Sequence, residues 1–433
     1  MQRRTFLFTS GAALSGLRAA GANDRINVAV IGVRGRGQGH VAEYAKRPDA
    51  AVAAVCDIDT ANNERAVQLA LKLQAGKPKE YRDIRQVLDD KNIDAVSIAT
   101  CNHWHALAAI WACQAGKDVY VEKPASHNIW EGRQMVEAAR KYGRIVQVGH
   151  QSRSTEHKKR AIELLRQGVI GKLYMAKGLC FKRRPSIGKH ADGPVPPGVD
   201  YNAWLGPAPA RPFNPNRFHY NWHWFWDYGN GDIGNQGVHE MDIARWGLGK
   251  NALPRAVSSS GGRFAYDDDQ ETPNTQLATF EYDDCHLVFE VRGLLTGIEA
   301  GIGPEPGSLN SIGNIFFGSD GYMTVDMAGF KVYLGEKREP GPAMKHAEPR
   351  QWDTSPHIEN FLKAVRSRKH TDLTCDVAEG RLSAALCHLA NVSYRVGRKL
   401  DFDPARETFG NDKEANRLLT REYRVPFVVP ERV

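Results

Sequence analysis

Ile26-Asn27-Val28-Ala29-Val30-Ile31 runs directly into Gly32-Val33-Arg34-Gly35-Arg36-Gly37. The first six residues are mostly apolar and read as a short buried strand. The glycines read as a tight turn, after which Gln38-Gly39-His40-Val41 opens a helix. Such a turn suits phosphate: glycine permits the bend and a close backbone approach, and helix N-terminal amides aim at the anion. Against the spacing G-x-G-x-x-G, Gly32 and Gly37 match, Arg34 holds the middle position, and a glycine stands at Gly35 instead. The next strand, Ala51-Val52-Ala53-Ala54-Val55-Cys56, ends in Asp57, twenty residues after Gly37. A carboxylate there accepts from a ribose 2′-hydroxyl and repels a 2′-phosphate. The pattern therefore predicts a dinucleotide site that prefers NAD to NADP, with Arg34 and Arg36 as the residues able to accept a phosphate instead.

The strand–helix alternation continues. Helices are predicted over 61–73, 84–88 with Asp83 as cap, 102–115 and 129–142, and strands over 95–99, 118–121 and 145–149. Gly116 closes one helix, and Lys117 complements its dipole. This organisation predicts a six-stranded, doubly wound parallel sheet over residues 25–150. Within it, Val119-Tyr120-Val121 runs into Glu122-Lys123-Pro124. Proline ends the ladder, so Lys123 is delivered to the mouth of the sheet, where ligands of open α/β folds sit.

These residues resemble the Gfo/Idh/MocA family of NAD(P)-dependent sugar oxidoreductases. The family's T-P-N-x-x-H stands here as Thr100-Cys101-Asn102-His103-Trp104-His105, with cysteine replacing proline, and its E-K-P is intact as Glu122-Lys123-Pro124. The small-residue, acid-rich helix that follows is 129–139. The resemblance covers nearly all of the chain after the segment 1–22. It implies an α/β protein with a Rossmann domain at 25–150 and an α/β domain at 151–400 bearing a large, mainly antiparallel, open-faced sheet, then an extension over 401–433. A homo-oligomer would form through that sheet. Cofactor contacts are expected from Gly32, Arg34, Gly35, Arg36, Gly37, Asp57, Thr100, Asn102, His105, Glu122 and Lys123. The resemblance puts Lys123 beside nicotinamide and substrate hydroxyl.

In the second half, helices are expected over 155–167, 356–366 and 377–396. Strands are expected over 173–179, 277–282, 286–291, 314–318 and 321–325, and 293–313 reads as a long loop, a lid or a contact surface. Phe218-His219-Tyr220-Asn221-Trp222-His223-Trp224-Phe225-Trp226-Asp227-Tyr228 is far richer in rings than the 9% of the whole chain. Rings can stack on the C–H face of a sugar, which makes Tyr220, Trp222 and Trp226 substrate candidates; a packed core or subunit interface is the alternative. Where the family carries D-x-G-x-H-x-x-D, Gly237, His239 and Asp242 match, but Asn235 holds the acid position. Asparagine can orient substrate and cannot take a proton, so acid–base duty falls to Lys123 and His239, with Asp232 left open. Gln151 completes the substrate set. A zinc reading of His239-Glu240 fails because Ile243 stands where the second histidine belongs, and no catalytic metal is inferred.

The chain of 433 residues allows two domains, and 42% hydrophobic with 25% charged residues is ordinary for a globular protein. Net charge is +8, yet no long basic run, zinc finger or RRM signature suggests nucleic acid. No apolar run reaches membrane-spanning length. Seven cysteines without repeated spacing argue against a disulfide framework. Gln2-Arg3-Arg4-Thr5-Phe6-Leu7, a short apolar run over 8–17 and Ala20-Gly21-Ala22 read as a twin-arginine signal over 1–22 and export to the periplasm. A basic N-terminal arm is the alternative.

The chemistry expected is hydride transfer from a carbinol carbon to nicotinamide while the hydroxyl proton passes to Lys123. That lysine must be neutral to act, which burial favours. Three classes follow: a sugar or polyol oxidoreductase with bound NAD, a glycosidase using NAD by transient oxidation and elimination, and a non-catalytic ligand sensor. Lys123 and His239 argue against the third.

Overall fold

The computed structural model describes residues 25–304, 309–347 and 354–433. The twin-arginine segment read in 1–22 lies outside the described residues. Six strands form the first sheet: β1 (Ile26–Ile31), β2 (Ala50–Cys56), β3 (Lys79–Tyr81), β4 (Ala95–Ile98), β5 (Asp118–Val121) and β6 (Val146–Val148). Their order is 3-2-1-4-5-6, all parallel. This is the doubly wound arrangement, with its switch point between β1 and β4. The strand that sequence analysis does not locate is β3. It has three residues, two of them exposed, so no apolar run marks it.

Side chains alternate across the sheet and each face is covered. Val28, Val30, Val52 and Val55 pack with Val41, Tyr44, Ala66 and Val67, whereas Ile31, Ile98, Val121 and Val148 pack on the other side with Leu107, Ile110 and Met135. Such side chains stabilise the fold by roughly 1.5–3 kcal/mol each when fully buried. Helix Asn102–Gln114 is buried on nearly all sides, which is why its apolar residues show no stripe. Lys117 does not serve the dipole of that helix; its Nζ donates to the carbonyls of Asp90 and Ile93.

The second sheet has nine strands. In spatial order they are Glu339–Lys345, Gly329–Leu334, Gly321–Asp326, Ser311–Gly318, Leu173–Phe181, His286–Arg292, Thr275–Glu281, Ala256–Gly262 and Leu400–Asp401. All neighbours are antiparallel except Leu173–Phe181 with His286–Arg292. One face packs on helices Gly237–Gly247 and Val377–Val396 through Phe280, Phe289, Phe316, Met241 and Leu386. Among the described residues, no helix is long and apolar enough to cross a membrane.

Two segments cross the boundaries drawn from sequence order. Helix Ser355–Ser367 returns to the Rossmann sheet, where Ile358, Phe361 and Leu362 join the Val28–Tyr44 core. Residues 401–433 are not a loose extension: Phe402, Phe409 and Leu419 enter the second domain's core, and Phe427 and Val429 enter the first domain's.

Candidate active site

Gly32 has φ +79°, and a Cβ there would lie 2.8 Å from the Ala99 carbonyl. A Cβ at Gly37 would lie 1.9 Å from the Gly32 oxygen. Both positions therefore demand glycine, whereas the middle position, Arg34, is an exposed N-cap that tolerates a side chain. The helix begins at Gly35, earlier than the sequence reading placed it, so the turn itself carries the helix N-terminal amides. Asp57 follows β2 and faces this turn. Its Oδ2 accepts from the Val33 amide at 2.8 Å, and its Oδ1 accepts from the Asp59 amide and Asn62 Nδ2 at 3.0 and 3.2 Å. Burial pushes its carboxyl up from the usual range, and these donors oppose the shift.

At the end of β5, Lys123 is half-buried and its Nζ donates to the Asn235 carbonyl at 2.8 Å. Burial lowers its ammonium below the usual range; Glu122 opposes that and the Arg36 charge adds to it. Glu122 is bonded to other side chains. Its Oε1 accepts from Arg36 Nε at 2.8 Å and Gln151 Nε2 at 2.9 Å, with His40 Nε2 at 3.1 Å. Burial alone would raise this carboxyl, but the Arg36 charge and the His40 bond hold it well below the usual carboxylate range. The Lys123–Pro124 bond is cis. His239 is buried, edge-on to His150 at 5.9 Å, and burial followed by the Lys123 charge keeps it well below the usual imidazole range. Both histidine and lysine line one cavity of about 500 Å³ that also reaches Gly32 and Asp57.

Residues 26–150 match the family model described as an oxidoreductase family with an NAD-binding Rossmann fold. Residues 176–293 and 323–429 match its companion, the C-terminal alpha/beta domain. The chain belongs to the Gfo/Idh/MocA oxidoreductase family. It is similar to glycosyl hydrolase family 109 protein 1 of Shewanella sp. (strain ANA-3), 30% identical over 152 residues, or 34% of this chain and 33% of the relative. The alpha-N-acetylgalactosaminidase of Shewanella oneidensis is 29% identical over 152 residues, again 34% of this chain and 33% of the relative. The match thus spans about a third of these relatives' length. Among solved structures, the WlbA dehydrogenase from Bordetella pertussis in complex with NADH and UDP-GlcNAcA superposes with TM-score 0.63 at 20% identity, over 88% of this chain and 99% of that one. A levoglucosan dehydrogenase in complex with NADH and levoglucosan gives 0.66 at 17%, over 87% and 99%. At such identities the likeness is one of fold.

In this Gfo/Idh/MocA chain the cavity gathers most residues singled out in the sequence. Gly32, Arg34, Gly35, Arg36, Asp57, Thr100, Asn102, His105, Glu122, Lys123, Gln151, Tyr220, Trp222, Asn235 and His239 all line it. Gly37 lies behind the turn. Several have other partners than expected. Arg36 is tied to Glu122, Asn102 Nδ2 donates to Asn230 Oδ1 at 3.0 Å, and the His105 ring lies between the carbonyls of Pro124 and Thr100 at 2.7 and 3.0 Å. His105 thereby ties the two loops that follow β4 and β5. Asp232 does not line the cavity, and Arg184 holds it through both oxygens at 2.7 and 3.0 Å. Trp226 corrects the sequence reading. It lies outside the cavity, under Arg395 at 5.2 Å and beside Tyr394, because the segment turns after Phe225. Trp222, Trp224, Phe225 and Tyr228 pack with Trp204, Leu205 and Ala208 in a small core, so the ring density is mainly packing. Sequence reasoning missed Trp104, Trp204, His219, His223 and Phe427, which also line the cavity. Trp104, His219 and His223 stood inside motifs already noted; Phe427 carried no local signal.

Asp57→Ala is expected to weaken NAD binding roughly ten-fold, the scale of one lost charge-assisted hydrogen bond, and to narrow the preference over NADP. Parallel titrations with both nucleotides check this, and unchanged discrimination would refute it.

Proposed function

We propose that this protein transfers hydride between a sugar or polyol carbinol and an NAD held in the cavity between its domains. The observation that carries the proposal is Lys123: a lysine with lowered basicity, aimed by the Asn235 carbonyl into a cavity that begins at a glycine turn and Asp57. The turn fits a dinucleotide, since Gly32 and Gly37 leave backbone where any Cβ would collide. NAD, when bound, supplies the hydride acceptor. Lys123 in its neutral form takes the hydroxyl proton. His239, buried and neutral, is the second group able to move a proton in the same cavity. Tyr220 and Trp222 offer a ring wall to the C–H face of a sugar.

A second reading is glycoside cleavage by transient oxidation and elimination. It is supported by the family 109 relatives, and it would use Lys123 and His239 as the same two proton-transfer groups. The twin-arginine pattern at residues 2–7 supports export, and a periplasmic enzyme would need a cofactor that stays bound. A homo-oligomer would form through the sheet face that bears exposed Leu277 and half-buried Phe317 and Tyr333.

The test is to purify the protein without added nucleotide, denature it and assay the released cofactor, then measure turnover on sugar pairs and on glycosides. Near-stoichiometric NAD and turnover without addition are expected. A protein that is empty and active only with free NAD would overturn the resident-cofactor reading. Glycoside cleavage without net redox change would select the second reading.

A further inference from the structure

Between Phe181 and Gly231 the chain makes a long excursion that reaches back to the Rossmann domain just beyond Asp57. The Asp200 amide donates to the Ile58 carbonyl at 2.9 Å, and the Thr60 amide donates to the Gly198 carbonyl at 3.3 Å. Arg82 Nη2 donates to that same carbonyl at 3.2 Å, and His219 Nε2 lies 3.0 Å from Asp59 Oδ2. These contacts join the second domain to the first beside Asp57, which lines the cavity.

The C-terminal segment fastens this bridge. Every nitrogen of the Arg424 guanidinium donates to it: Nη1 to Asn202 Oδ1 at 2.6 Å, Nη2 to the Asn202 carbonyl at 2.7 Å, and Nε to the Gly206 carbonyl at 3.0 Å. Arg421 donates to the carbonyls of Asp227 and His103 at 3.1 and 3.0 Å, one in each domain. Phe427 lies under Arg424 at 4.9 Å, packs edge-on to Trp104 at 5.4 Å and forms part of the cavity wall beside Arg85. A guanidinium with all three nitrogens on acceptors is a geometric fixture, not a loose surface charge.

We infer that residues 421–427, clasped to residues 202–206, form a cofactor-retaining strap: the adenosine half of the dinucleotide lies beneath it and leaves only when the Arg424 clasp opens. The inference rests on the NAD reading above. Neither Arg424 nor Phe427 takes part in proton transfer; both act on the rate at which the cofactor escapes.

The experiment loads the full-length protein with labelled NAD, removes free nucleotide, and follows release into excess unlabelled NAD. Arg424→Ala and Phe427→Ala are each expected to accelerate release by about ten-fold or more, the equivalent of one lost anchoring contact. Thermal melting reports whether each variant is folded, and Phe427→Leu, which keeps an apolar side chain but removes the ring, serves if an alanine variant unfolds. Release at the wild-type rate from a folded variant would overturn the strap, as would wild-type protein that exchanges its NAD within seconds. Wild-type protein that neither contains nor takes up NAD would instead refute the cofactor reading.

Discussion

Lys123→Met is expected to turn over at least about one hundred times more slowly than the wild type, with NAD content and melting temperature unchanged. Methionine keeps the length and apolar stem but can neither hold nor release a proton. Among the described residues, the lysine makes a single hydrogen bond through its Nζ, to the Asn235 carbonyl, so its loss leaves little unsatisfied there. Near-normal turnover would move the chemistry to His239.

The pH profile gives the same assignment a sign. Under the proposed assignment Lys123 takes the hydroxyl proton in its neutral form, so the oxidation rate should rise with pH until the lysine has lost its proton. Burial moves that rise down from the ordinary lysine range, and the Arg36 charge moves it further in the same direction. Arg36 also neutralises Glu122 through the 2.8 Å ion pair. In Arg36→Gln both effects weaken, and the rising limb should shift to higher pH. A limb that stays in place would separate Arg36 from the lysine.

Much of the first domain was legible because its signals are local. A strand, a turn that accepts only glycine at two points, and an acid at the next strand end lie within some thirty residues. Glu122-Lys123-Pro124 was legible for the same reason. The Arg36–Glu122 pair was not, since it joins residues 86 apart whose charges could each have faced solvent. The aromatic segment misled in part because ring density reports burial as readily as binding; only the turn after Phe225 separates Trp222 from Trp226. Phe427 reaches the cavity from over three hundred residues beyond Asp57, and no period or spacing announces such a contact.

Loss of Asp242 is expected to damage the fold strongly. It matches the last acid of the family pattern, yet it lies outside the cavity and is fully buried. Arg153 donates to both its oxygens at 2.9 to 3.1 Å, and Ser383 Oγ donates to Oδ1 at 2.6 Å. Arg245 stands 3.9 Å away, and Glu379 accepts from Arg245 at 2.8 Å. Two buried arginines thus face two carboxylates, and the network joins residues 151–154, helix Gly237–Gly247 and helix Val377–Val396. Asp242→Ala leaves that centre one positive charge in excess, and breaking a buried pair from one side costs about 3–5 kcal/mol. Denaturant unfolding should show a loss of that order, with a smaller loss for Asp242→Asn, which keeps the shape and one acceptor. Burial would raise the Asp242 carboxyl, but the Arg153 charge outweighs it and holds it below the usual carboxylate range. Its contribution is therefore complete above the unfolded carboxylate pKa of about 3.9 and fades as pH falls through the lower folded value. The gap between wild type and Asp242→Ala should be constant near neutrality and close in strong acid. A loss below about 1 kcal/mol at neutral pH would place Asp242 among residues whose charge the fold does not need.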